Sequence, residues 1–77
     1  MQVNNNSVLN GSIGESFYRF FVQKKIAETL TFVMSKGKIE FSEEDIERIN
    51  IFDNSTFIVM KNGDRKFINL NQITYVE

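Results

Sequence analysis

The fold is decided by residues 56–70, TFIVMKNGDRKFINL. Apolar residues dominate its two ends, and the Asn62-Gly63 pair between them tolerates the positive φ angles that a two-residue hairpin loop requires. The pattern predicts a β-hairpin with strands over residues 56–61 and 65–70.

Turn residues and β-branched runs place further strands on both sides of this hairpin. Asp53-Asn54-Ser55 predicts the preceding turn, and Asn71-Gln72 links the hairpin to a last strand over 73–76. TLTFVM at 29–34 has the composition of a strand, and Lys36-Gly37 predicts a turn after it. Residues 38–53 predict a strand, a short acidic excursion around 42–46, and a second strand from about 47 to 53.

A helix should precede these strands. Ser12-Ile13-Gly14-Glu15 fits a capping box, and Phe17 and Phe21 lie four residues apart on one apolar stripe, so a helix is expected over about 13–25. Residues 1–12 are Asn-rich at their start and are expected to form a flexible tail before a single domain over 13–77. The expected fold is mainly β: an N-terminal α-helix followed by a five-stranded, strongly bent antiparallel sheet that forms an open barrel.

Most of the phenylalanines are expected to fill this barrel. The predicted core aromatics are Phe17, Phe21, Phe32, Phe52, Phe57 and Phe67. Some of Phe20, Phe41 and Tyr75 are expected to lie at the surface, in contacts between subunits.

Composition excludes several classes of site. The chain has no cysteine and no histidine, which excludes disulfides, Cys/His zinc sites and thiol or imidazole catalysis. The carboxylates show no spacing that defines an acid/base pair, so we expect no enzyme, no cofactor and no metal. No apolar run approaches the length of about 18 residues that a membrane span needs, and the start of the chain lacks a signal peptide, which favours a cytoplasmic protein.

Net charge is −1, but the signs are segregated. The charged residues of the stretch 19–38 are mainly basic, and those of the stretch 40–47 are all acidic. A strongly basic nucleic-acid-binding protein would have a large positive net charge. The segregation of charge still allows a local basic surface.

The segment FDNSTFIV at residues 52–59 resembles a known family motif, F-D-N-F-T-V-L-L. This motif is that of Hfq, the bacterial Sm-like RNA chaperone family, and the similarity continues through Gly63 to residues 73–74. Residues 16–26, SFYRFFVQKKI, resemble the family's N-terminal helix, and residues 31–37, TFVMSKG, resemble its first strand. The resemblance covers about residues 13–76 and needs two length differences, near 27–29 and between 37 and 52.

This resemblance implies an Sm-like, SH3-like open barrel and a ring of subunits. The family forms rings of six by pairing the fourth strand of one subunit with the fifth strand of the next. Here those strands would be residues 65–70 and 73–76, so the implied partners are five further copies of the chain. The physics agrees, because a head-to-tail strand contact can close into a ring and cover open sheet edges.

The resemblance also implies three surfaces for single-stranded RNA, A-rich or U-rich, each changed here. Ser55 replaces a stacking aromatic, Asn69-Leu70-Asn71 replace a Tyr-Lys-His string, and Val33 replaces a second stacking aromatic. The implied proximal-type residues are Asn54, Ser55, Asn69, Leu70 and Asn71; the distal-type residues are Val33, Gly37 and Arg65; and the rim residues are Lys24 and Lys25.

The expected function is therefore that of a diverged, RNA-chaperone-like ring that acts in post-transcriptional regulation of translation through weakened sites. Two alternatives stay open. An Sm-like ring could serve as a protein-binding scaffold without RNA, since the acidic stretch 40–47 suits a basic partner. The chain could also be an unrelated small β-domain that acts as an adaptor or inhibitor.

Overall fold

The computed structural model describes residues 1–24 and 29–77. Within them the protein is mainly β, with one α-helix and two short 3-10 turns. The helix α1 is Ile13–Lys24, and the strands are β1 (Gln2–Asn5), β2 (Thr29–Met34), β3 (Gly37–Ser42), β4 (Ile46–Ile51), β5 (Ser55–Met60), β6 (Arg65–Asn69) and β7 (Ile73–Val76). The acidic turn (Glu43–Asp45) joins β3 to β4, and the corner turn (Leu70–Gln72) joins β6 to β7.

The described strands form two sheets. One has the order β1-β4-β5-β6 and the other the order β3-β2-β7. Every pairing is antiparallel except that of β1 with β4, which is parallel. β6 and β7 are consecutive in sequence, yet they lie at the edges of different sheets, so the barrel is not closed between them.

The expected single sheet of five strands is corrected to seven strands in two sheets. One source of the difference is β1, which the sequence analysis did not predict. The other is the region 38–53, where the two segments predicted on either side of the acidic excursion are separate strands, β3 and β4, and do not count as one strand of five. The predicted order of a helix before the main strands is confirmed.

Helix α1 begins at the predicted cap. The backbone N–H of Glu15 donates to the hydroxyl of Ser12 at 3.0 Å, which satisfies one of the free donors of the first turn. The Glu15 carboxylate does not complete a capping box; it accepts from Asn5 at 3.0 Å and lies 3.6 Å from Arg19. Phe17 and Phe21 are buried as predicted, with their ring centroids 4.8 Å apart in an edge-to-face arrangement.

The hairpin between β5 and β6 has a longer loop than predicted. Met60 and Asp64 close it through an N–H···O bond of 2.8 Å, which leaves three residues, 61–63, in the loop. Gly63 has φ +96° and donates to the carbonyl of Met60 at 3.0 Å. This is a three-residue loop with its glycine in the left-handed region, rather than a two-residue loop.

The N-terminal segment, expected as a flexible tail, contains β1. Its residues pair in register with β4 from Gln2 opposite Arg48 to Asn5 opposite Ile51. The side-chain amide of Asn4 donates to that of Asn50 at 2.9 Å, and the N–H of Asn6 donates to the carbonyl of Ile51. The edge of β4 is therefore covered by the start of the chain.

The core lies between the two sheets and the helix, and several aromatic predictions need correction. Phe32 is buried as predicted, and of the aromatics of which some were expected at the surface, Tyr75 is 50% exposed and Phe41 is 6% exposed. Phe67 is 65% exposed and Phe52 is 43% exposed, although both were predicted as core. The fully buried positions on β4 and β5 are isoleucines and Thr56 instead.

No helix in the described part of the chain is long and apolar enough to cross a membrane.

Candidate nucleic-acid interface

The residues predicted as a proximal-type RNA site meet at one corner, where β5 begins and β6 ends. Ser55 lies directly opposite Asn69. The N–H of Leu70 donates to the carbonyl of Asn54 at 2.9 Å, which ties the corner turn to the turn before β5. The side chain of Leu70 is only 4% exposed and belongs to the core, so the surface of this corner is formed by the polar residues around it.

The two asparagines of the corner have different roles. The side-chain oxygen of Asn69 accepts the backbone N–H of Asn71 at 3.0 Å and so caps the corner turn. Because this oxygen already accepts a backbone hydrogen bond, the side chain of Asn69 has a structural role in the corner turn. Asn71 is exposed and makes no side-chain hydrogen bond within the described residues, so its amide is available to a ligand.

Asn71 lines a cleft of about 430 Å³ where the β2–β3 turn meets the corner turn. The β2–β3 turn supplies Ser35 and Lys36, and the corner turn supplies Asn71 and Gln72. Met34, Ile73 and Thr74 complete the wall. The residues that line the cleft carry two amides, two hydroxyls and an ammonium group, which are donors and acceptors suited to a base edge and a phosphate.

Sequence reasoning missed Lys36 and Gln72 as site residues. Lys36 was assigned to a turn and Gln72 to a link between strands. Their meeting depends on the pairing of Met34 with Ile73, which carries the β2–β3 turn to the corner turn. Adjacency to the predicted residues Gly37 and Asn71 was the only signal in the sequence.

The predicted distal-type residues are divided between the two sheets. Val33 and Gly37 lie on the three-stranded sheet, and Arg65 begins β6 on the other. Val33 is half-buried between Lys38 and Tyr75 in register. The neighbouring Phe32 is fully buried and offers no stacking surface.

The predicted rim is described only in part. Lys24 is exposed in the last turn of α1, where a cation also suits the helix dipole. Lys25 lies outside the described residues. In the acidic turn, Glu44 and Asp45 are exposed.

Within residues 1–24 and 29–77, no group of three or more carboxylates is placed to hold a metal ion. Asp53 has a structural role instead, since its carboxylate accepts the backbone N–H groups of Val8 and Leu9.

Comparison with known proteins gives no match: no family model, no curated protein and no solved structure matches this chain.

Proposed function

We propose that this chain is a diverged Hfq-like protein that assembles into a ring and binds single-stranded RNA. The observation that carries the proposal is the cleft lined by Lys36, Asn71 and Gln72. It joins a residue of the predicted proximal-type site to a cation that sequence reasoning had not assigned. A cytoplasmic setting and a role in post-transcriptional regulation are part of the same proposal.

The chemistry of the cleft suits a nucleotide without requiring a stacking ring. Each side-chain amide offers donors and an acceptor to the hydrogen-bonding edge of a base. The ammonium of Lys36 can neutralise a phosphate, which favours binding and makes it dependent on salt. Because stacking contributes about 1–3 kcal/mol per base and is absent from the cleft, binding there should be weak for one copy.

Strand edges support the assembly. Among the described strands, β6 and β7 each have one unpaired edge, because the corner turn sends them to different sheets. Unpaired edges tend to pair with another chain, and a contact between two different edges closes into a ring when its rotation permits. The order of a helix before the main strands is consistent in broad terms with the Sm-like family. A ring of six would repeat the cleft six times, and this multivalency would offset the weakness of each site.

Two measurements on the whole chain test the proposal. Light scattering should give about six times 9.0 kDa. Fluorescence anisotropy with labelled A-rich and U-rich 12-mers at about 50 mM salt should show saturable binding that weakens as salt rises. A monomer mass would contradict the ring, and flat titrations with both oligomers would contradict RNA binding.

The exposed acidic turn favours one second candidate, a protein-binding scaffold. Glu43, Glu44 and Asp45 form no ion pair among the described residues, so their charge is available to a basic partner. A ring mass together with flat RNA titrations would favour this function, and retention on a basic peptide resin that Glu44→Lys abolishes would support it.

A further inference from the structure

The outer face of the four-stranded sheet presents two neighbouring aromatic side chains. Phe57 in β5 lies directly opposite Phe67 in β6, and directly opposite residues point to the same face of a sheet. Thr56 and Ile58, the neighbours of Phe57 along β5, are fully buried toward the core. Phe57 therefore points away from the core, and it is half-buried there, while Phe67 is 65% exposed.

Two arginines flank this aromatic pair in the next row of the sheet. Val59 lies between Arg48 on β4 and Arg65 on β6 in register. Both arginines are exposed, and neither forms an ion pair within the part of the chain that the structure describes. Val59 itself is only 6% exposed, so the exposed groups of this row are the two arginine side chains on either side of a buried valine.

Amide groups continue the aromatic row on its other side. Asn50 lies opposite Phe57, and Asn4 of β1 lies opposite Asn50. Their hydrogen bond of 2.9 Å uses one donor and one acceptor, and the Asn4 oxygen and the Asn50 amino group have no other partner among residues 1–24 and 29–77, so they can meet a base edge. None of the residues that register places in these two rows carries a negative charge.

We propose that this face, here called the aromatic platform and defined by Phe57, Phe67, Arg48, Arg65 and Asn50, stacks the bases of single-stranded RNA. The inference rests on the proposed function and assigns a second surface to it, on a different sheet from the cleft. Aromatic faces accept any base, and guanidinium groups beside them reach the phosphates that connect the stacked bases.

The chemistry of the platform favours RNA over a protein or a second copy. An apolar partner would cover the phenylalanines but would also have to desolvate two arginines that lack a countercharge within the described residues. A strand of RNA supplies phosphates for both cations and flat rings for both aromatics. Charge complementarity therefore favours RNA, a polyanion, as the ligand of the platform.

The experiment uses a tryptophan reporter, because the chain contains no tryptophan. Phe67→Trp places one indole on the platform, and Leu9→Trp places one at a position that is also 65% exposed but lies off the sheet. On titration with the unlabelled U-rich and A-rich 12-mers, stacking should quench the emission of the Phe67→Trp protein in a saturable way. The Leu9→Trp protein should show no saturable change.

Affinity provides the second readout. Phe67→Ala should weaken RNA binding about 5- to 150-fold, which corresponds to the loss of one stacked base, whereas the matched Leu9→Ala should change it less than about 2-fold. Arg65→Ala should lower the slope of log K against log salt by about 0.7, the value for one phosphate contact on a single strand. Lys66→Ala tests whether the slope depends on a cation of the platform or on any lost cation. Lys66 lies opposite the buried Ile58 and so belongs to the other face of β6.

Each contrary result overturns the platform in a recognisable way. Unchanged affinity in Phe67→Ala together with weakened binding in Asn71→Ala would remove the platform and leave the proposed function standing. A drop in particle mass for Phe67→Ala, with unchanged RNA affinity per subunit, would make the face a contact between copies. Flat titrations of the unmodified chain would remove both proposals.

Discussion

The carboxylate of Asp53 accepts a hydrogen bond from the backbone N–H of Val8 at 2.7 Å. The same oxygen accepts from the N–H of Leu9 at 3.2 Å, and the backbone carbonyl of Asp53 accepts from Gly14 at 2.7 Å. The turn before β5 thus holds both the chain that follows β1 and the first turn of α1. Asp53 joins the N-terminal segment to the sheet.

Replacement of Asp53 tests this connection. Asp53→Ala should lower the free energy of unfolding by about 1–2 kcal/mol, because two backbone donors lose an acceptor. Asp53→Asn keeps an acceptor oxygen and should lose less than half of that. Urea denaturation measures both, and hydrogen exchange at Asn6 should quicken in Asp53→Ala alone. Equal losses in the two variants would assign the effect to the charge instead of the hydrogen bonds.

Gly14 allows α1 to approach the same turn. A Cβ atom at this position would lie 1.7 Å from the carbonyl oxygen of Phe52, which is backbone and has little freedom to move. Gly14→Ala should therefore destabilise the protein by about 2 kcal/mol or more, despite the better helix propensity of alanine. Ser16→Ala, at an exposed position of the same helix, is the control and should be neutral or slightly stabilising. A stable Gly14→Ala protein would show that the helix can shift away from the turn.

The positions of the strands could be predicted from the sequence because turn residues mark their ends. The Asn-Gly pair, the Asp53 turn and the acidic turn all carry local chemistry that acts within a few residues. β1 had no such signal, since asparagine is depleted in strands. It forms because β4 offers an edge and Asp53 holds the chain beside it, and both are distant in sequence.

Which side chains of a strand point to the core was harder to predict than where the strand lies in the sequence. In residues 56–60, TFIVM, apolar side chains follow one another, so the period of two does not say which set points inward. Phe57 and Phe67 were both predicted as core, but on β5 and β6 the core uses Ile58 and Ile68 and leaves Phe67 exposed. The same ambiguity hid the aromatic platform, whose members alternate with core residues.

A proline substitution tests whether the edge of β7 that is unpaired among the described strands makes the contact between subunits of the proposed ring. Glu77 and Thr31 exchange backbone hydrogen bonds of 2.9 and 3.2 Å, and Tyr75 lies opposite Val33 in the same ladder. The register shifts between Val33 and Met34, so Thr74 is the extra residue on β7 and has no partner residue on β2.

Thr74→Pro removes the backbone N–H of this extra residue, at a bulge on an edge strand, where proline is tolerated. Ile73 has φ −90° and ψ 130°, which suits a residue that precedes proline. The proposed ring should dissociate, so light scattering should give 9.0 kDa while far-ultraviolet circular dichroism is retained. Thr74→Ala keeps the N–H and should keep the mass of the unmodified protein. An intact assembly in Thr74→Pro would mean that β7 does not supply the contact.

The two asparagines of the corner should separate stability from binding. Asn69 caps the corner turn, so Asn69→Ala should lower the free energy of unfolding by about 1 kcal/mol. Asn71 contributes only its backbone to that cap and presents its side chain to the cleft, so Asn71→Ala should leave stability unchanged and weaken RNA binding. Lys36→Ala should lower the salt dependence of binding, since one phosphate contact is lost. Urea denaturation and anisotropy on the same samples measure the two effects. If Asn69→Ala and Asn71→Ala weakened binding equally at equal stability, the corner would act as one recognition surface and the cap would have no separate role.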